Sequence, residues 1–211
     1  MELRIPEGRP TVLVIDDDYS VRKSLGRLLK TAGHRVETYA SAEEFLATAG
    51  SDGPGCVICD MKMTGLDGIE LQSALSEQRL SWPIIFITGH GDVPTTVRAM
   101  KVGAVDFLTK PCDGAVLLAA VDEAIAIDRR KRRDREDVES VRRKRALLTP
   151  REREVMELVV TGMLNKQIAF RLGTSEKTIK VHRARVFEKM EARSVAELVR
   201  LFDQLAAAEA G

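Results

Sequence analysis

The first half of the chain carries polar residues whose types suit metal and phosphate chemistry. Three consecutive aspartates, Asp16–Asp18, are followed at wide intervals by Asp60, Thr88 and Lys110. Clustered carboxylates repel one another unless a cation lies among them, and hard oxygen ligands with room for water and phosphate favour Mg²⁺. A lysine ammonium and a threonine hydroxyl can both bind phosphate oxygens. These residue types predict a magnesium site that handles a phosphoryl group, if the fold brings them together.

Apolar runs come directly before most of these residues and predict the strands that position them. Continuous apolar runs of this length are typical of strands buried on both faces of a parallel sheet. Helical patterns alternate with the runs, as in Val21–Leu29 and Val93–Met100. The alternation predicts a doubly wound α/β domain with a five-stranded parallel sheet, in which ligands collect beyond the carboxyl ends of the strands. The five candidate strands, of which the second and fifth are weaker, are Thr11–Ile15, Arg35–Tyr39, Cys56–Cys59, Ile84–Ile87 and Ala104–Leu108.

Two alternatives compete with the magnesium site. Aspartates at strand ends can simply cap the helices that follow them. The spacing Asp16-x-Asp18-x-Ser20 also loosely resembles the haloacid-dehalogenase phosphatases, whose first aspartate is the nucleophile. That family closes its site with a further acidic pair after the lysine, whereas here only the isolated Asp113 follows, and Asp60 would have no role.

Composition excludes several classes of protein. Apolar residues make up 44%, charged residues 31% and aromatic residues 4% of 211 residues, which fits folded globular domains and neither collagen nor a disordered chain. No apolar stretch approaches the ~18 residues of a membrane helix, and the first residues lack the apolar run of a signal peptide. We therefore expect a cytoplasmic protein, in which the cysteines are reduced. Cys56 and Cys59 form a C-x-x-C pattern, but on a strand their side chains point to opposite faces, which argues against zinc.

The near-zero net charge of +1 hides an uneven distribution. Residues 1–127 carry 12 basic and 18 acidic side chains, residues 128–145 carry 10 and 5, and residues 146–211 carry 11 and 9. Such an asymmetry is typical of a regulatory or catalytic module joined to one that meets a polyanion. We therefore divide the chain into a first domain at 1–127, a charged linker at 128–146 and a second domain at 147–211.

The linker is expected to continue the last helix of the first domain. Residues 115–149 contain neither glycine nor proline, and their charged part consists of strong helix formers. An acid-to-base pair at i, i+4, Asp128–Arg132, adds a few tenths of a kcal/mol to such a helix. A disordered linker is the alternative, although flexible linkers usually contain Gly, Ser or Pro.

The second domain is predicted to be small and all-helical. Thr149 is a suitable N-cap before Pro150, Asn165 can cap a short second helix, and Gly173 supplies a turn before the third helix. Two helices joined by a glycine turn, the second one basic, are typical of a helix-turn-helix that places its second helix in the DNA major groove. That helix carries five cations: Lys177, Lys180, Arg183, Arg185 and Lys189.

Four segments of the first half resemble, in order, the response-regulator receiver domain of two-component signalling. They read VLVIDDDYSVR, VICDMKMTGLDGIEL, IIFITGHGD and AVDFLTKP, within residues 9–127. Asp60 lies 43 residues after Asp17, Thr88 lies 28 residues after Asp60, and Lys110 lies 22 residues after Thr88. These spacings agree with that family. The resemblance implies a flavodoxin-like fold that is phosphorylated on an aspartate.

The resemblance also assigns roles by position. Asp60 resembles the phosphoryl-accepting aspartate, Thr88 and Lys110 match the residues that bond the phosphoryl oxygens, and Phe107 matches the aromatic residue whose rotamer reports phosphorylation. A cis peptide is implied at Lys110–Pro111. The implied Mg²⁺ ligands are Asp16, Asp17, Asp60 and the backbone carbonyl of Lys62.

The second half resembles the LuxR-type DNA-binding domain over about residues 147–205. Receiver and LuxR-type domains occur in this order in the nitrogen-fixation and styrene-degradation branch of regulators. By position, Lys180 and Val181 match residues that face bases, whereas Ala184 stands where some members carry a longer polar side chain. The phosphate contacts are expected at Ser175, Thr178 and Arg183. The full set of predicted DNA contacts is Ser175, Lys177, Thr178, Lys180, Val181, Arg183, Ala184, Arg185 and Lys189.

Together these features predict a phosphorylation-activated transcription regulator. The expected partners are a sensor histidine kinase that phosphorylates Asp60, double-stranded promoter DNA, RNA polymerase, and a second copy of the chain after phosphorylation. The chain is not expected to be an enzyme beyond its own phosphorylation and slow dephosphorylation. The surface around Val93, Val97, Met100 and Lys101 is the predicted dimer face. The alternative is a DNA-binding or interaction protein that works without phosphorylation.

Overall fold

The chain divides into two compact units, with the division between Arg132 and Arg133. A computed structural model describes residues 10–48, 53–78, 80–89 and 103–210. Among these residues no helix is long and apolar enough to cross a membrane.

The first unit is built on a parallel sheet in the order β2-β1-β3-β4-β5. This confirms the predicted five-stranded doubly wound fold, with the first two strands at their predicted bounds and β5 shifted two residues towards the C-terminus at its start. The strands are β1 Thr11–Ile15, β2 Arg35–Tyr39, β3 Gly55–Asp60, β4 Ile84–Thr88 and β5 Asp106–Thr109. Among the described residues the helices of this unit are α1 Tyr19–Thr31, α2 Ala42–Thr48, α3 Gly68–Glu77 and the first part of α4, Gly114–Ala146.

Two apolar layers cover the sheet, because alternate side chains of each strand point to opposite faces. On one face Leu13 and Ile15 pack with residues of α2 and α3. On the other face Val12 and Val14 pack with residues of α1 and α4. These layers hold the strands in register, so that their carboxyl ends form one common edge.

Cys56 and Cys59 confirm the opposite-face placement inferred from their spacing. Cys56 packs in the layer under α1 and α4, and Cys59 packs in the layer under α2 and α3. Burial raises the pKa of the Cys56 thiol to about 12 and raises the pKa of Cys59 as well. Both are free cysteines that fill the core as small apolar side chains.

The predicted helix over Val93–Met100 and the dimer face that includes Lys101 lie outside the described residues. That face therefore stays a prediction.

Helix α4 runs for 33 residues, from the receiver-like unit into the charged segment, and confirms that the linker is helical. Its first turns bury the predicted apolar stripe, including Leu117, Val121 and Ala124. Asp128 and Arg132 are not the solvent-exposed pair expected from their spacing, because the Asp128 side chain is 1% exposed and Arg132 is 17% exposed. The pair is therefore largely buried in the first unit.

The second unit contains the C-terminal part of α4, whose Val141 lies in its core. Four helices follow: α5 Pro150–Val160, α6 Asn165–Arg171, α7 Glu176–Met190 and α8 Val195–Ala210. Thr149 caps α5 as predicted, in a capping box with Glu152. The prediction that Asn165 caps α6 is wrong. Leu164 is the N-cap residue, and its backbone N–H donates to Gln167 Oε1 at 2.8 Å. A core that includes Val155, Ile168, Ile179 and Leu198 joins the four helices.

Candidate functional site

Three aspartates meet at the carboxyl edge of the sheet. Asp16 directly follows β1, Asp60 ends β3, and Asp17 lies beside Asp16 at the start of the loop before α1. One carboxylate oxygen from each of the three lies within 4.8 Å of the others. Asp16 is buried, Asp60 is half-buried and Asp17 is exposed, so the cluster opens to solvent on one side.

Lys110 bridges two of these carboxylates. It follows β5 directly, and its Nζ donates to Asp16 Oδ2 at 2.6 Å and to Asp60 Oδ2 at 2.7 Å. Burial alone would lower the pKa of Lys110, but its hydrogen bonds to Asp16 and Asp60 raise that pKa overall. The pKa of Asp16 is raised because burial outweighs the favourable contacts with Lys110 and the Asp18 amide. One ammonium among three carboxylates leaves an excess of negative charge that a cation can balance.

Asp17 is held by a residue that the sequence did not single out. Both the backbone N–H and the hydroxyl of Thr64 donate to Asp17 Oδ2, at 3.0 and 2.9 Å. Both bonds lower the pKa of the Asp17 carboxyl, and the bond from the hydroxyl has the larger effect. Thr64 lies 47 residues from Asp17, in the loop that follows Asp60. In the sequence, the only indication of this contact is that Thr64 lies in the loop after Asp60.

The remaining predicted residues lie on the two strands beyond β3. Thr88 ends β4 and is 1% exposed, and its carbonyl accepts from the Lys110 amide at 2.7 Å. Phe107 pairs in register with Phe86 across β4 and β5 and is partly buried. The Lys110–Pro111 peptide is cis.

The acidic cluster fits Mg²⁺ by the chemistry of its donors. Three carboxylates that reach one another across an open edge provide the hard oxygen ligands that Mg²⁺ takes, with room for water. Lys62 lies in the loop after Asp60 and donates its backbone N–H to Asp60 Oδ1 at 3.2 Å. This bond fixes the loop on which the predicted Lys62 carbonyl ligand lies.

The second unit contains two helices in the helix-turn-helix arrangement. α6 and α7 are joined by a turn in which Gly173 has a φ of +62°, a conformation that glycine adopts without strain. Ser175 caps α7 by accepting from the Thr178 amide at 3.1 Å. Ile179, Val186 and Met190 face the core of the unit. The residues of α7 that are exposed to solvent include Lys177, Lys180, Val181, Ala184 and Arg185.

Two of the predicted DNA-contacting cations have partners on other helices of the second unit. Lys189 Nζ lies 2.6 Å from Glu152 Oε2, a carboxylate that is almost fully buried, and 3.1 Å from the Leu147 carbonyl. Arg183 donates to Asn165 Oδ1 at 3.1 Å. The structure therefore separates Lys189 and Arg183 from the exposed cations Lys177, Lys180 and Arg185. Of these three, Lys180 lies 3.5 Å from Glu176 on its own helix.

Known proteins match both units. The family model for the response regulator receiver domain matches residues 12–122, and the model for bacterial regulatory proteins of the luxR family matches residues 146–202. Nodulation protein W of Bradyrhizobium diazoefficiens is 45% identical over 194 residues, which cover 92% of this chain and 86% of that protein. The chain belongs to the response-regulator family.

The similarity to this family covers both domains. The transcriptional regulatory protein FixJ of Azorhizobium caulinodans is 43% identical to this response regulator over 197 residues, 93% of each chain. A solved structure of the response regulator StyR is 44% identical, covers 93% of this chain and 99% of that one, and has a TM-score of 0.85.

The response regulator thus combines a receiver domain with a luxR-type DNA-binding domain, as predicted. Receiver domains are phosphorylated by sensor kinases, and this one is joined to a DNA-binding module in a family of transcription regulators. The phosphatase alternative is not supported, because the family is one of DNA-binding regulators.

Proposed function

We propose that the phosphohistidine of a sensor histidine kinase transfers its phosphoryl group to Asp60 and thereby activates DNA binding. The observation that carries this proposal is the Lys110 ammonium, which lies between the Asp60 and Asp16 carboxylates at 2.7 and 2.6 Å. Asp60 is half-buried beside a fixed cation. Once a divalent cation balances the acidic cluster, Asp60 can accept an anionic group that the carboxylates alone would repel.

The transfer replaces one bond to phosphorus by another. A carboxylate oxygen of Asp60 attacks phosphorus, the P–N bond to the kinase histidine breaks, and an acyl phosphate forms while the bond electrons return to the imidazole. Lys110 then neutralises a phosphoryl oxygen, and the Thr88 hydroxyl donates a hydrogen bond to the same group. Bound Mg²⁺ would supply charge stabilisation at the phosphoryl oxygens. Its proposed ligands are Asp16, Asp17, Asp60 and the Lys62 carbonyl.

Phosphorylation is proposed to act by pairing two copies of the chain. When Thr88 moves towards the phosphoryl group, Phe107 gains space to turn inward, and the surface of the receiver next to β5 changes. Dimerisation then brings two DNA-binding domains to half-sites about one helical turn apart, where RNA polymerase can be engaged. Because its partners are a kinase and promoter DNA, we expect it to act in the cytoplasm.

Within the DNA-binding domain, we propose that the exposed face of α7 enters the major groove. Lys180 and Val181 read base edges, with Ala184 beside them. Lys189 is assigned to the fold, because its ammonium neutralises the buried Glu152 carboxylate. The proposed phosphate contacts are Ser175, Lys177, Thr178, Arg183 and Arg185.

One experiment tests the phosphoryl acceptor and its effect together. Acetyl phosphate and Mg²⁺ should add a single acid-labile phosphoryl group to Asp60, raise the sedimentation coefficient and tighten binding to a promoter fragment. Asp60→Asn should abolish all three changes. Mass spectrometry that places the group on Asp16 would refute the assignment. Equal DNA binding by the phosphorylated and unphosphorylated chains would instead support a regulator that works without phosphorylation.

A further inference from the structure

We propose that Thr64 is a positioning residue that holds the Asp17 carboxylate for the divalent cation of the receiver. The inference rests on the proposed magnesium site and assigns a further residue to it. Thr64 makes two hydrogen bonds to one oxygen of Asp17, 3.0 Å from its backbone N–H and 2.9 Å from its hydroxyl. The two residues come from different loops, after β1 and after β3.

The contact directs a side chain that otherwise has little to hold it. Asp17 is exposed, and an exposed aspartate samples several rotamers and loses that freedom when it binds a metal. Both Thr64 donors use Oδ2, so the carboxylate is fixed through one oxygen and Oδ1 takes no bond from Thr64. Hydrogen bonds of this kind orient metal ligands and raise affinity by reducing the ordering cost at the time of binding.

Support of the loop itself is provided by other contacts. The Lys62 amide donates to Asp60 Oδ1 at 3.2 Å, the Leu66 amide donates to Glu43 Oε1 at 2.9 Å, and Asp67 forms a capping box with Glu70 at the start of α3. The loop is therefore anchored on both sides of Thr64. The hydroxyl of Thr64 thus contributes mainly to the orientation of Asp17.

The test compares the magnesium dependence of receiver stability in the full chain. Thr64→Val keeps the side-chain shape and the backbone donor but removes the hydroxyl, and Thr64→Ser restores a hydroxyl. A ligand that binds only the folded state stabilises it in proportion to ln(1 + [L]/Kd), so urea unfolding at graded MgCl₂ concentrations gives Kd without any phosphorylation assay. We expect the Kd of Thr64→Val to rise about tenfold and that of Thr64→Ser to stay near the wild-type value.

Thr48→Val is the matched control. Its hydroxyl donates to the Glu44 carbonyl of its own helix at 2.7 Å, away from the three aspartates. This variant should lose a little stability without magnesium, as Thr64→Val does, while its Kd for Mg²⁺ stays at the wild-type value.

The outcomes separate the role of Thr64 from the proposed function. An unchanged or lower Kd in Thr64→Val, with magnesium still stabilising the wild type, overturns the positioning role and leaves the magnesium site standing. A wild type whose stability does not respond to MgCl₂ overturns both. An equal rise in Kd for Thr48→Val shows a general effect of lost hydroxyls and also overturns the proposal.

Discussion

Replacing Asp128 by alanine is expected to destabilise the receiver domain by about 3–4 kcal/mol. The side chain is 1% exposed, and its Oδ2 accepts from the Gly55 amide at 2.9 Å and from Arg132 Nε at 2.8 Å. Arg132 also donates to the Gly53 carbonyl at 2.7 Å. Asp128 therefore ties the end of the receiver part of α4 to the start of β3.

The expected magnitude is the sum of two losses. Alanine leaves the buried Gly55 N–H without an acceptor, which costs about 2 kcal/mol, and removes the charge-assisted bond to Arg132, which costs about 1–2 kcal/mol. Arg132 keeps its bond to the Gly53 carbonyl, which limits the second loss. Asp128→Asn should cost about half as much, because its amide oxygen can still accept from Gly55.

The assay uses the single tryptophan of the chain. Trp82 lies in the receiver and donates its indole N–H to the Gly53 carbonyl at 2.7 Å, so its fluorescence in urea follows this domain. Asp122→Ala, on the same helix, is the control. Its carboxylate is 74% exposed and 3.8 Å from His34, so removing it should change stability by less than about 0.5 kcal/mol. Equal free energies of unfolding for the two variants would refute the reasoning.

Three further predictions concern charged side chains. Glu152→Gln should lower the stability of the DNA-binding domain by about 1–2 kcal/mol at neutral pH, because Lys189 holds the pKa of Glu152 below its usual 4.5. That difference in stability should vanish as the pH falls through the lowered pKa, because Glu152 is then protonated. Urea unfolding detected by NMR measures it, and an equal difference in acid would contradict the prediction. Lys110→Met should abolish phosphorylation by acetyl phosphate, measured by mass spectrometry, while the variant still unfolds cooperatively. Undiminished phosphorylation would exclude the proposed role of Lys110. Lys180→Ala should cost ~1–3 kcal/mol on the preferred duplex and little on a scrambled one, measured by fluorescence anisotropy. An unchanged ratio of the two affinities would remove its base-reading role.

Most of the fold could be predicted because it follows local patterns. Buried strands appear as apolar runs, and Thr11–Ile15 forms a strand at its predicted bounds. The weaker candidate Arg35–Tyr39, which has no buried residue, is also a strand at its predicted bounds. Thr149 followed by Pro150 and Glu152 carries a complete helix-start signal, which the structure confirms. The convergence of the strand-end aspartates also follows from parallel topology, since all carboxyl ends share one edge.

The contacts that could not be predicted join residues that are far apart in the sequence. The contact of Thr64 with Asp17 spans 47 residues, and no periodicity connects them. Lys189 has the spacing of a DNA contact, but its ion pair with Glu152, 37 residues away, is formed only by helix packing. Burial of Asp128 likewise depends on the loop before β3, whereas its spacing indicated only a surface pair.

The position of β5 predicts that the phosphorylation site is lost more easily than the fold of the receiver. This four-residue strand is the outer member of the sheet next to β4, and it is only partly buried, yet it carries Lys110 into the site. Asp16 and Asp60 lie on the inner strands β1 and β3. Peripheral strands open at lower free energy than the centre of a domain. We therefore expect mild heating to displace Lys110, and to stop the proposed phosphoryl transfer, while the rest of the receiver is still folded.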